Sequence, residues 1–208
     1  MTPRDQVQQR IRGLYGIADA SAGDGDPLRV LAALLAGGCR LVQLRCKDWP
    51  VDDITHAAAE CVQRCRAAGA TFLVNDHPAI AAAVGADGVH VGQHDAPADD
   101  VRRIVGEGRI VGRSTHSPQH LAEARLHADY VAFGPVYPTP RLSWSKPLQG
   151  IEALRAARRH AGDTPLVAIG GIDATRLAEV RSTGVDAWAV IGAVALAADP
   201  VAATRALC

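Results

Sequence analysis

Phe72-Leu73-Val74-Asn75-Asp76, then a helix-compatible stretch, then Val89-His90-Val91-Gly92-Gln93-His94-Asp95: the reading of this passage decides the fold. Each apolar run is short enough for a strand and ends in an Asp. Between them lies a single helix-sized segment, the crossover that two parallel strands require. If the runs are parallel neighbours, Asp76 and Asp95 leave the same edge of one sheet. Two carboxylates placed so can share a hard cation such as Mg2+, which takes carboxylate oxygens and leaves room for phosphate oxygens.

Outward from that unit the pattern repeats. Strand-like runs fall at Leu14 to Ala18, Leu41 to Leu44, Phe72 to Val74, Gly88 to Val91, Ile110 to Gly112, Tyr130 to Phe133, Leu166 to Ile169 and Ala187 to Ile191. Ala-rich helical segments alternate with them: Pro27 to Ala36, Val51 to Ala68, Pro78 to Val84, Ala98 to Val105, Pro118 to His127, Ile151 to Ala161 and Ala174 to Ser182. Strict alternation calls for a parallel sheet with right-handed crossovers, and eight such units can close into a barrel without an exposed edge. The expectation is therefore an α/β protein, a single compact (β/α)8 TIM barrel over residues 1–208. An open doubly wound sheet is the competing architecture. The chain has no GxGxxG after its first strand, which weakens a dinucleotide-binding reading.

Composition narrows the function classes. Lys plus Arg and Asp plus Glu both number 22, so the formal charge is zero, which argues against a nucleic-acid partner. Apolar residues make up 48% and aromatic residues 4%, so the core must be built from Ala, Val, Leu and Ile, as suits buried parallel strands. The polar segment Met1 to Arg12 lacks the apolar core of a signal peptide, and no apolar run approaches the roughly 20 residues that span a bilayer. A cytoplasmic protein without a membrane partner is the expectation, and a homo-oligomer stays open. The cysteines Cys39, Cys46, Cys61, Cys65 and Cys208 include no CxxC pair and read as reduced thiols.

In a barrel of this kind, chemistry sits at the C-terminal strand ends. Gln43, Arg45 and Lys47 alternate along the second strand and should face the mouth together. Two cations there need counter-charge. A diphosphate would supply it, and so would pairing with Asp19 or Asp76. Asn75, Asp76 and Asp95 have an equally ordinary reading as helix N-caps. After the fifth strand, Ser114 and His116 are candidates, Arg113 should point outward, and Ser117-Pro118 reads as a helix start. The stretch Gly134 to Gly150 is the longest without regular pattern. Gly170-Gly171 and Gly192 put bare backbone after strands seven and eight, where this barrel type binds phosphate, although a tight turn explains a glycine pair as well.

With these residues in place the chain resembles the thiamine-phosphate synthase family. The resemblance runs from Leu14 to Pro200 through QLRCK at Gln43 to Lys47, VND at Val74 to Asp76, ADGVHVGQHD at Ala86 to Asp95, GRSTHS at Gly112 to Ser117, DYVAFGPVYPT at Asp129 to Thr139 and AIGGI at Ala168 to Ile172. It implies a transferase acting on small molecules, joining a hydroxymethylpyrimidine diphosphate to a thiazole phosphate. By that resemblance Asp76 and Asp95 hold Mg2+, with Arg45, Lys47 and Ser114 in catalytic roles. Gln43, Arg45, Lys47, Asn75 and Ser114 bind the pyrimidine diphosphate, and Thr139, Gly171, Ile191 and Gly192 receive the thiazole phosphate. Where the family reads PT-x-TK this chain has Pro138-Thr139-Pro140-Arg141-Leu142, and Gly192 stands where Ser is usual. Arg141 or Lys146 is then the candidate for the missing diphosphate contact. The alternatives are a thiazole tautomerase using His116 as acid and base, and a non-catalytic phosphate-binding homologue.

Overall fold

The computed structural model describes residues 3–139 and 147–208. Eight parallel strands close into a barrel in chain order: β1 (Gly13–Asp19), β2 (Leu41–Arg45), β3 (Thr71–Asn75), β4 (Gly88–Val91), β5 (Ile110–Thr115), β6 (Tyr130–Phe133), β7 (Leu166–Ile169) and β8 (Ala187–Val190). The last strand pairs with the first, Gly13 opposite Ala187, so the sheet has no free edge and the open doubly wound alternative falls. The helices are α1 (Pro3–Arg10), α2 (Pro27–Gly37), α3 (Val51–Ala67), α4 (Pro78–Val84), α5 (Ala98–Val105), α6 (Pro118–Ala124), α7 (Gly150–Ala161), α8 (Leu177–Ser182), α9 (Gly192–Ala195) and α10 (Pro200–Leu207). None of the described helices is long and apolar enough to cross a membrane.

Alternation along the strands divides the core in two. Tyr15, Ile17, Leu41, Leu73, Ile110, Tyr130 and Val167 point inward and fill the barrel, with Ile11 below them. Leu14, Val42, Phe72, Val89, Val111, Val131 and Trp188, on the opposite parity, meet the helices. The interior has little spare room: a Cβ added at Gly112 would lie 2.1 Å from Cζ of Tyr130, so the glycine is what lets that ring cross the barrel.

Several elements depart from the expected boundaries, and α6 ends at Ala124 rather than His127. β5 runs on through Thr115, because Arg113 pairs with Val131 and Ser114 with Ala132; polar side chains end the apolar pattern without ending the ladder. α8 begins at Leu177 rather than Ala174, since Oδ1 of Asp173 accepts from the backbone N–H groups of Thr175 and Arg176 and holds that turn outside the helix. α1, α9 and α10 stand outside the alternating strand-and-helix pattern read from the sequence.

A device at the opposite end of the barrel recurs on alternate strands. Asp87, Asp129 and Asp186 stand just before β4, β6 and β8, and a carboxylate oxygen of each accepts the backbone N–H of Phe72, Val111 or Leu166 at 2.8 Å. The backbone N–H of each Asp donates to the carbonyl of that same residue, closing a ring. Each carboxylate is also paired with an arginine: Arg10, Arg102 and Arg158 respectively.

Candidate active site

β3 and β4 are parallel neighbours with Asn75 opposite His90, and the N–H of Asp76 continues the ladder to the carbonyl of His90 at 2.9 Å. Asp76 and Asp95 therefore leave the same rim, within hydrogen-bonding reach of each other. Burial pushes the Asp76 carboxyl above the usual carboxylate range, and the Asp95 carboxyl beside it adds to the rise, against the opposing pull of Lys47 and Asn75. Neither Asp is a helix cap. α4 is capped by His77 and α5 by Pro97, both without a side-chain bond, so the N-cap reading of Asn75, Asp76 and Asp95 is excluded. Oδ2 of Asp95 instead accepts the N–H of Gly92 at 2.6 Å, which fixes the loop that carries it. Among the described residues no third His, Cys, Asp or Glu completes a metal cluster.

The cations on β2 are partly committed. Nη1 of Arg45 donates to Oδ2 of Asp19 at 2.8 Å, and Oδ1 of the same buried carboxylate accepts from the N–H and hydroxyl of Ser21. The counter-charge reading thus holds for Arg45, and Asp19 sets the direction of its guanidinium. Lys47 lies beyond the strand end, exposed, with its charge felt by Asp76. Gln43 is buried inside the barrel.

On β5 the hydroxyl of Ser114 lies 2.9 Å from Nε2 of His90. Arg113 points outward as expected, donating to the carbonyls of Ala96 and Gln93. Ser117 caps α6, accepting from the N–H of His120. His116 stands with Nδ1 2.6 Å from the carbonyl oxygen of Gly134.

Beyond β6 and β7 the backbone packs closely. A Cβ on Gly170 would fall 2.6 Å from Cα of Pro135 and one on Gly171 2.6 Å from the carbonyl oxygen of Pro138, and both glycines have φ above zero. The glycine pair is therefore required for packing alone, whatever else it binds. Nη1 of Arg176 donates to the carbonyl of Gly171 at 2.5 Å and its guanidinium covers the ring of Tyr137. Thr139 closes the described part of this loop, and Ile191 and Gly192 lead into α9. Arg141, Leu142 and Lys146 lie outside the described residues.

Three residues escape the strand-end reading: Tyr15, His90 and Tyr130. Gln43 Nε2 donates to the Tyr15 hydroxyl at 2.6 Å; that hydroxyl lies 2.9 Å from the Tyr130 hydroxyl, which lies 2.8 Å from Nδ1 of His90. With Ser114 this makes an unbroken polar chain across the barrel. Burial raises both phenols, and it pulls His90 down to about 4, so the imidazole is neutral at pH 7. The inward parity of Tyr15 and His90 is visible in sequence; their meeting through Tyr130 is not.

Comparison with known proteins adds to this geometry. Residues 14–194 match the family model described as thiamine monophosphate synthase. The chain is similar to a thiamine-phosphate synthase of Laribacter hongkongensis, 42% identical over 180 residues, covering 86% of this chain and 85% of the relative. It is equally similar to one of Methanoculleus marisnigri, 42% identical over 196 residues, with 93% and 92% covered. Among solved structures, a thiamine phosphate pyrophosphorylase of Pyrococcus furiosus superposes with a TM-score of 0.88 at 34% identity, covering 96% of this chain and 95% of that one.

Proposed function

This chain belongs to the thiamine monophosphate synthase family, and we propose that it couples 4-amino-5-hydroxymethyl-2-methylpyrimidine diphosphate to hydroxyethylthiazole phosphate, releasing diphosphate and forming thiamine phosphate. The observation that carries the reading is the family match over residues 14–194, which takes in every strand end of the barrel. The reaction class is group transfer with diphosphate as leaving group, and its demand on a protein is to stabilise developing negative charge and keep water out.

The residues on β2 to β5 suit the first substrate. Arg45, aimed by Asp19, and Lys47 take the diphosphate charge, while Gln43, Asn75 and Ser114 hold the pyrimidine. Asp76 and Asp95 are the two residues that would hold Mg2+: a paired carboxylate set whose protons are held too tightly is what a hard dication relieves, and Mg2+ commonly takes one or two carboxylates together with substrate phosphates. When bound, the ion supplies charge neutralisation at the leaving diphosphate. Thr139, Gly171, Ile191 and Gly192 receive the thiazole phosphate, and Lys146 supplies the remaining cation for the diphosphate. Both substrates are small molecules, and the enzyme works in the cytoplasm.

Mixing both substrates with Mg2+ and the purified chain should release one diphosphate per thiamine phosphate formed. Asp76→Asn should lower that rate by at least about 100-fold, the scale on which loss of a transition-state charge contact acts. Absence of coupling by the unaltered chain at saturating substrates would overturn the proposal, and metal-free interconversion of thiazole tautomers would replace it with a tautomerase reading.

A further inference from the structure

We propose that the chain of hydrogen bonds Gln43–Tyr15–Tyr130–His90–Ser114 runs in one direction and thereby presents Ser114 as a donor and Gln43 as an acceptor to whatever the mouth binds. The proposal rests on the assignment of Gln43 and Ser114 to the pyrimidine, and adds three positioning residues that touch no substrate.

The direction follows from counting protons. The amide nitrogen of Gln43 can only donate, so the Tyr15 hydroxyl accepts from it. Tyr15 must then place its own single proton on the Tyr130 oxygen. Tyr130 has used its oxygen as acceptor and donates onward to Nδ1 of His90. A neutral imidazole whose Nδ1 accepts carries its proton on Nε2, and that proton goes to the oxygen of Ser114. Ser114 is left with a hydroxyl proton to give, and Gln43 with a carbonyl Oε1 that no donor among the described residues reaches. None of these five residues has a buried side-chain polar atom left without a partner.

The opposite sense requires the Gln43 amide to turn over, both phenol protons to swing round and the His90 proton to change nitrogen, all together. The chain therefore keeps its polarity as a unit. Toward a ligand that polarity selects a group with a hydrogen to give at Gln43 and a ring nitrogen with a free lone pair at Ser114. An aminopyrimidine offers both. The corresponding oxopyrimidine puts an oxygen against the oxygen of Gln43. Tyr130→Phe would cut the chain in the middle and leave each end free to turn.

Two measurements test this. In the 15N-labelled chain without ligand, the ring nitrogens of His90 should show the neutral form protonated on Nε2; protonation on Nδ1 overturns the proposal whether or not the substrate assignment holds. Calorimetric affinities for the 4-amino and 4-oxo forms of the hydroxymethylpyrimidine phosphate should then differ by about 10- to 100-fold in the unaltered chain, the scale of a mispaired buried hydrogen bond. In Tyr130→Phe the preference should fall to about 3-fold or less. A purely structural role for Tyr130 weakens both ligands equally, and an unchanged ratio overturns the proposal. If neither pyrimidine binds the unaltered chain while His90 is protonated on Nε2, the substrate assignment fails and the directed chain stands.

Discussion

Asp76 is, among the described residues, the one non-glycine with a positive φ, at 63°. That left-handed conformation is uncommon for side chains in general but tolerated by Asp and Asn, whose short polar groups bond locally. Alanine there would add backbone strain to the loss of the carboxylate, so Asn is the substitution that isolates the charge. Because the folded chain holds the Asp76 pKa above its unfolded value, stability from this group is fully present below the usual carboxylate range and is lost as pH rises through the raised value. Asp76→Asn removes that loss and lets the amide donate to Asp95. At pH 7, without metal, the variant should melt higher than the unaltered chain, by a margin that solvent screening at this half-buried site keeps small. The advantage should vanish below pH 3, and melting curves at the two pH values check it. Sequence alone brings Asp76 and Asp95 to one rim, since a two-residue period and parallel pairing are enough. It does not bring Tyr15 to Tyr130, because contact across 115 residues depends on barrel closure rather than on local pattern.

The aspartates before β4, β6 and β8 show what an element needs at its start. Asp87-Gly88, Asp129-Tyr130 and Asp186-Ala187 occupy matching positions, and each carboxylate satisfies the first orphan N–H of the preceding strand while anchoring an arginine from a helix. A charge-assisted bond to a backbone N–H is stronger than a neutral one, and its removal leaves that group unpaired. Asp129→Ala, the most enclosed of the three braces, should lower stability by about 2–4 kcal/mol, read as a fall in the urea midpoint at unchanged slope. Asp173→Ala, whose turn is open to solvent, should cost under about 1 kcal/mol. The repeat is written in the sequence, yet periodicity does not expose it, because a single Asp before an apolar run reads as an ordinary turn residue. The end of β5 was hidden for the converse reason. Its mouth-facing residues must be polar to do chemistry, and polarity is what an apolar-run criterion takes for a strand's end.

At the scale of the whole molecule, closure makes the eight strands depend on one another, since opening any pair exposes two edges at once. The cysteines can measure that dependence. Cys39, Cys46, Cys61 and Cys65 are buried around β2 and α3, and Cys208 is exposed. Burial raises the thiol of Cys39 to about 11 and those of Cys46 and Cys65 to about 12, and lifts Cys61 as well, so none of the four holds an appreciable thiolate fraction at pH 8. A disulfide-exchange reagent at that pH should therefore titrate one thiol of the native chain quickly and all five in denaturant. Two outcomes separate a closed unit from a loosely covered one. If the barrel opens only as a whole, the four buried thiols react with a single rate that rises as Asp129→Ala lowers global stability. If α3 peels away by itself, Cys61 and Cys65 react ahead of Cys39 and Cys46, and their rate is indifferent to a brace on the far side of the barrel. The seating of Cys61 against the outer face of the sheet, together with Ile54, Ala58 and Cys65 on the same helix, favours the single rate, because freeing the helix uncovers an apolar stripe along β2 and β3.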